Sequence, residues 1–239
     1  MNPAQMFVGG WGVPEAAYGA GSVLATGSVS YPLNDHWLAA EGEGPATSAS
    51  DRFLHYVQAI APAPVRVVAW SAGAVLALES ACRNPSLFRE LLLLSPTARF
   101  CQCPDYDAGV PATALDELRA QLQQSPYVAV RRFQLNCLLP LPDARAHVSR
   151  WEAGSSALSP AQLYAGLDYL RHTDLRTQVR SLNVPVTLMH GSRDRVIPVD
   201  AACWLHDHLP CSSLRIWPDA GHGLPFTRAL SMLDAVSWE

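Results

Sequence analysis

The chain of 239 residues contains no lysine: all 17 of its basic side chains are arginine, against 21 aspartates and glutamates, for a formal net charge of -4. An acidic balance offers a nucleic-acid backbone little to bind, so that class of partner is not expected. Long apolar runs are missing too. No stretch approaches the ~18 residues of a bilayer span, and no basic segment followed by an apolar one opens the chain. Neither a membrane anchor nor a secretory leader is predicted, and a cytoplasmic location is expected. The six cysteines, at 82, 101, 103, 137, 203 and 211, show no repeated C-x-x-C spacing. Cys101-x-Cys103 has no further ligands near it to complete a metal site, and a chain of this length does not depend on disulfides. The fingerprint G-x-G-x-x-G is absent, and with it the usual dinucleotide site. Internal repeats and low-complexity tracts are absent as well, and no metal or organic cofactor is expected.

What is present is an apolar fraction of 49%, enough for one substantial core. The stretch that organises the rest runs from 65 to 81. Residues 65–69 form an apolar, β-branched run that reads as a buried strand, and 74–81 read as a helix. Only Trp70-Ser71-Ala72-Gly73 lie between them. A serine on so tight a strand-to-helix turn projects its hydroxyl from the sheet edge, as in a nucleophile elbow. Ala69 stands where the common G-x-S-x-G pattern has its first glycine, and an ordinary β-to-α turn is the alternative reading.

Around this stretch the chain alternates strands and helices. Residues 6–8 form a strand that runs into Gly9-Gly10-Trp11-Gly12, after which Pro14 opens a helix or turn. A second strand covers 28–31, residues 33–47 read as a polar surface loop, and Ser48 or Ser50 caps a helix running to 60. A further strand covers 90–94. The β-α-β order implies a mainly parallel sheet of about six strands, covered on both faces. From 100 to 173 the rhythm becomes helical, with helices predicted at 112–123, 127–138, 144–152 and 160–170. This segment reads as an inserted cap (100–173) over a core made of 1–99 and 174–239. The rhythm then resumes with strands at 184–189 and 213–217, a helix at 200–209 and a terminal helix after Gly223.

A serine hydroxyl becomes a nucleophile when a histidine takes its proton and a carboxylate orients that histidine. Ser71, Asp194 and His222 each follow a predicted strand, in the chain order of α/β-hydrolases. Asp194 has an Asx-turn or capping role as its alternative, and Asp219 and Asp200 are competing carboxylates. His36, His55, His147, His172, His190, His206 and His208 lack a matching partner pattern and read as surface or packing residues. Donors for a developing oxyanion would come from the Ala72 N–H, directly after the serine, and from the Gly10-Trp11-Gly12 loop, through the Trp11 N–H.

Several motifs together carry a more specific likeness. Gly10-Trp11-Gly12, Trp70-Ser71-x-Gly73, Gly191-x-x-Asp194-x-x-x-Pro198 and Ala220-Gly221-His222 resemble the pimeloyl-acyl carrier protein methyl ester esterases of biotin synthesis. The stretch Gly166-Leu167-x-Tyr169-Leu170, continuing through Asp174-Leu175-Arg176 to Val184-Pro185, is also similar to that family. The resemblance implies an α/β-hydrolase fold in which Ser71 is the nucleophile, Asp194 the orienting acid and His222 the base. It implies that Trp11 serves the oxyanion and substrate pocket and that Trp70 is a wall beside the nucleophile; Phe133 either lines an acyl channel or, as a lone aromatic, packs within the cap. Arg132 and Arg145, with Arg131 and Arg150 as neighbours, would meet an acyl carrier protein bearing the methyl pimeloyl chain, the alternative being helical arginines that simply solvate a face.

Two positions depart from the wider pattern: Ala69, and Gly9 where many hydrolases have histidine. The first two strands of the full hydrolase sheet are also expected to be missing. The activity implied is hydrolysis of the methyl ester to pimeloyl-acyl carrier protein and methanol by a monomer. The alternatives are a small-molecule carboxylesterase, lactonase or carbon-carbon hydrolase with the same triad, or a non-catalytic hydrolase-like binding protein.

Overall fold

Six short runs rich in Val, Leu and aromatic residues pair side by side, all parallel. They are β1 (Gln5–Val8), β2 (Val29–Tyr31), β3 (Val65–Trp70), β4 (Phe88–Leu94), β5 (Val186–Gly191) and β6 (Ser212–Trp217), in the order β2-β1-β3-β4-β5-β6. The computed structural model describes residues 5–18, 29–38, 48–60, 64–153 and 158–227. Alternate residues of the central strands serve two separate cores. Val67, Ala69, Leu91, Leu93 and Leu188 face one core, whereas Val68, Trp70, Leu92, Leu94 and Met189 face the other. With apolar demand on both faces the strands need no polar alternation, which is why they read as continuous hydrophobic runs. Each fully buried leucine there contributes roughly 1.5–3 kcal/mol.

The helices are α1 (Ala49–Ile60), α2 (Ala72–Arg83), α3 (Ala112–Gln124), α4 (Pro126–Leu138), α5 (Ala144–Ala153), α6 (Pro160–His172) and α7 (Val199–His208). Their starts follow local chemistry. Ser48 caps α1, its Oγ accepting from the Asp51 N–H at 3.1 Å while the Asp51 carboxylate accepts from the Ser48 N–H at 3.0 Å. In α6 the same reciprocal arrangement joins Ser159 and Gln162, with Pro160 in the first turn. Helices α3 to α6 are inserted between β4 and β5, as the sequence predicts. At the root of the insertion Arg99 and Asp174 form an antiparallel bridge and an ion pair of 2.7 Å. Arg176 also donates to Asp174. These guanidiniums, Arg176 first, hold the Asp174 carboxyl down at about 2.

Two expectations are corrected. The start of the segment read as a surface loop is a 3-10 turn, Leu33–His36, with Leu33, Asn34 and Trp37 buried; residues 39–47 lie outside the described ones. Its polar letters concealed an inward-facing asparagine. After Gly223 a single 3-10 turn, Leu224–Phe226, takes the place of the first part of the predicted helix, and residues 228–239 lie outside the described ones.

The strand order fixes where chemistry can occur. From β1 the chain crosses to β2 on one side, whereas β3 lies on the other. At such a switch point the loops leaving the carboxyl ends of the two central strands separate and leave a crevice. The loop after β1 carries Trp11, and the turn after β3 carries Ser71.

Candidate active site

The turn after β3 holds Ser71 at φ 57° and ψ -123°. A side chain rarely adopts this backbone, and it persists because the surroundings over-determine it. The Ser71 N–H donates to the Leu94 carbonyl at 2.9 Å, and the Ser71 carbonyl accepts from Ala74 at 2.9 Å and Val75 at 3.2 Å as α2 begins. Gly73 is required by close approach: a Cβ there would lie 2.2 Å from the Gly9 carbonyl oxygen. Ala69 is fully buried among apolar neighbours, so its methyl group fits where the wider pattern has glycine.

His222 and Asp194 converge on this serine from 151 and 123 residues away in sequence. His222 Nε2 lies 2.9 Å from Ser71 Oγ, and His222 Nδ1 lies 2.7 Å from Asp194 Oδ2. Because a carboxylate can only accept, Nδ1 carries the proton and Nε2 presents a lone pair to the serine hydroxyl. Asp194 Oδ1 accepts from the N–H groups of Val196 at 2.8 Å and Ile197 at 2.9 Å. Burial alone would raise this carboxyl; the neighbouring imidazoles, His222 first and then His190, outweigh it and hold Asp194 well below the usual carboxylate range. His222 is 0% and Ser71 6% exposed. The competing carboxylates are elsewhere: Asp219 is 73% exposed at its side chain and pairs with Arg193 at 2.6 Å, and Asp200 lies exposed in the first turn of α7.

The loop after β1 is held by side chains from three directions. The Gly10 N–H donates to Tyr18 Oη at 2.9 Å, and the Gly12 N–H donates to Asn34 Oδ1 at 3.2 Å. Asn34 Nδ2 donates to the carbonyls of Gly10 at 3.3 Å and Val13 at 2.9 Å, and Gln134 from α4 donates to the Gly12 carbonyl at 2.7 Å. Between the two engaged N–H groups, that of Trp11 has no acceptor among the described residues. A Cβ added to Gly10 would lie 3.3 Å from Ser71 Cβ, so the loop abuts the serine turn. Ala72, the first residue of α2, offers a second N–H with no intrahelical acceptor.

Trp70 stands beside the nucleophile turn, its ring centre 5.2 Å from that of His222. Its ring is buried, and its Nε1–H donates to the His222 carbonyl at 2.8 Å, so it braces the histidine loop from beneath, helped by Ser95 Oγ at 3.4 Å from the same oxygen. Phe133 packs edge-on against Trp11, ring centres 4.8 Å apart, and lines a cavity of about 440 Å³ with Leu118, Arg132, Arg195 and Val196. Trp11 itself donates through Nε1 to the Leu163 carbonyl at 2.9 Å. Of the four arginines singled out on the cap, Arg131 pairs with Glu152, whereas Arg132, Arg145 and Arg150 are exposed.

His190, read from sequence as a surface or packing residue without a matching partner, is fully buried and does meet one, its Nε2 3.2 Å from Asp194 Oδ2. Its signal was a histidine inside an apolar strand, four residues before the acid. Asn34 and Gln134 carried little local signal: apart from Trp37, three residues on, the partners of Asn34 lie 21–24 residues away, and that of Gln134 lies 122 away. Among the described residues no group of three or more His, Cys, Asp or Glu side chains is arranged to hold a metal ion, and no helix is long and apolar enough to cross a membrane.

A parallel sheet carrying Ser71, His222 and Asp194 on its carboxyl edge under inserted helices defines a serine-hydrolase-like protein. Residues 10–235 match the model of the alpha/beta hydrolase family, and the chain belongs to that family. Within it the chain is homologous to the pimeloyl-[acyl-carrier protein] methyl ester esterases. It is 28% identical over 207 residues to that of Nitrosomonas europaea, covering 83% of this chain and 81% of the relative. Identity reaches 33% over 171 residues with that of Aromatoleum aromaticum, covering 67% of each. Among solved structures, a bromoperoxidase from Bacillus anthracis matches with a TM-score of 0.81 over 98% of this chain and 91% of that one; at 14% identity the likeness is one of fold.

Proposed function

We propose that this chain is a serine esterase that hydrolyses the methyl ester of pimeloyl-acyl carrier protein to pimeloyl-acyl carrier protein and methanol. The observation that carries the chemistry is the continuous relay from Ser71 Oγ through His222 to Asp194, abutted by the glycine loop whose Trp11 N–H has no acceptor among the described residues. Support for the substrate comes from the relatives, which are esterases of that ester.

In the proposed cycle His222 Nε2 takes the Ser71 proton as Oγ attacks the ester carbonyl carbon. The N–H groups of Ala72 and Trp11 stabilise the tetrahedral oxyanion. Collapse breaks the bond to the methoxy oxygen, which leaves as methanol with the proton from His222. A water molecule, deprotonated by His222, then releases the acid and restores Ser71. The acyl chain is proposed to lie in the cavity beside Phe133, with residues 100–173 acting as a cap. The exposed Arg132, Arg145 and Arg150, with Arg131, would attract an acidic carrier protein, since local potential outweighs total charge in steering. The setting proposed is the cytoplasm, with the protein as a monomer.

The test is methanol release from methyl pimeloyl-carrier protein compared with free short methyl esters. Ser71→Ala is expected to reduce kcat by roughly 10⁴-fold or more, and Arg132→Ala with Arg145→Ala to raise KM for the carrier-bound ester alone. Equal efficiency on free esters, unaffected by the arginine changes, would refute the substrate; an active Ser71→Ala protein would refute the mechanism.

A further inference from the structure

We infer that His190 is a positioning residue for the reaction, a fixed crosspiece that sets the aim of the Asp194 carboxylate at His222. The inference rests on reading Ser71, His222 and Asp194 as a catalytic triad. His190 lies in β5, fully buried, one residue before the strand ends. Its Nε2 sits 2.9 Å from the Ile197 carbonyl oxygen and 3.2 Å from Asp194 Oδ2. Both neighbours are acceptors, so Nε2 must carry a proton. Nδ1 is buried and has no hydrogen-bond partner among the described residues, a place where a second, unpaired N–H would be costly. The tautomer is therefore neutral, with its single proton on Nε2.

That one N–H spans the two ends of the acid turn. It donates to the carbonyl of Ile197, and the same nitrogen stands against Oδ2 of the Asp194 carboxylate, while the Val196 and Ile197 N–H groups hold Oδ1. Oδ2, the oxygen that receives His222 Nδ1, has His190 as its other close polar neighbour. Rotation of the carboxylate away from His222 would break contacts at both oxygens. A histidine on a rigid strand is well suited to this task, because its ring has little freedom once packed.

The experiment uses an activated aryl ester such as p-nitrophenyl butyrate, on the full chain. His190→Phe keeps a planar apolar ring and removes the donor; His190→Gln returns an N–H close to the position of Nε2. Removing the donor is expected to lower kcat by about 10–100-fold with KM within twofold, and to shift the low-field NMR signal of the His222 Nδ1 proton. Gln is expected to recover most of the rate and the signal. An unchanged kcat in His190→Phe, or a Gln protein as slow as the Phe protein, would overturn the inference. A second measurement needs no variant: ¹⁵N NMR of the wild-type protein at the assay pH is expected to show His190 with its proton on Nε2, and an Nδ1–H tautomer would overturn it. Ser71→Ala in the same assay separates the two levels. If that protein keeps the wild-type rate the triad reading falls, whereas a dead Ser71→Ala beside a fully active His190→Phe overturns only the role of His190.

Discussion

The acid turn after β5 and the glycine loop after β1 lie on the same edge of one sheet and both bury backbone polar groups, yet they are built in opposite ways. The acid turn is local. Asp194 is fixed by N–H groups two and three residues ahead and by a histidine four residues behind. The glycine loop is assembled from a distance, by Tyr18, Asn34 and Gln134, the last reaching across from the cap. A local device tolerates movement elsewhere in the fold. A remote one ties the Trp11 N–H, the proposed oxyanion donor, to whatever holds the supporting side chains of its loop, including α4.

The largest effect should come from breaking the local device at its centre. Asp194→Asn keeps shape but can offer an amide donor where His222 Nδ1–H needs an acceptor, favouring the wrong tautomer, and a kcat loss of about 10⁴-fold is expected with the fold intact. Activity within tenfold of wild type, measured on an ester at saturating concentration, would show that another carboxylate can replace it.

Breaking the remote device should cost less rate and more stability. Asn34→Leu is close to isosteric but strips partners from the carbonyls of Gly10 and Val13 and from the Gly12 N–H, all buried. Each orphaned group costs about 1–3 kcal/mol, and a displaced Trp11 N–H should cost roughly 10²-fold in kcat. Urea unfolding and steady-state kinetics on the same preparation would check both. A stability loss without a rate loss would leave Asn34 as scaffold and remove the link between it and the oxyanion.

The same contrast explains what could be read in advance. Ser71, Asp194 and His222 each stand in a short turn immediately after an apolar run, so the strand pattern alone brings them to one edge. The cap helices were legible from apolar spacing and from Pro126, Pro140, Pro142 and Gly154 between them. Asn34 was hidden because a polar residue in a polar stretch resembles a surface residue; only the fold turns it inward against Trp37 and the glycine loop. Trp70 reads as a wall beside the nucleophile through the family likeness alone, and its hold on the histidine loop had no local signal. Strand alternation sends it to the opposite core from Ala69, where its N–H meets the carbonyl of a histidine 152 residues away.

The smallest effect is expected where a carboxylate gathers as many donors but lies away from the reacting groups. At the cap root Asp174 accepts from Arg99 and Arg176, a donor set as rich as that of Asp194, on a partly exposed surface. Asp174→Asn should leave kcat within about twofold, since exposed ion pairs carry little energy, and lower Tm by roughly 2–4 °C. The pH dependence has a definite sign. The carboxyl stands at about 2 in the folded protein against an ordinary 3.8, so its contribution is complete above about pH 4 and is lost as pH falls towards 2. The Tm gap between wild type and Asp174→Asn should therefore be wider near pH 6 than near pH 3. A gap that widens on acidification would deny the arginine clasp its part in stability, and a kcat loss like that of Asp194→Asn would mean that the cap root, too, belongs to the machinery of the site.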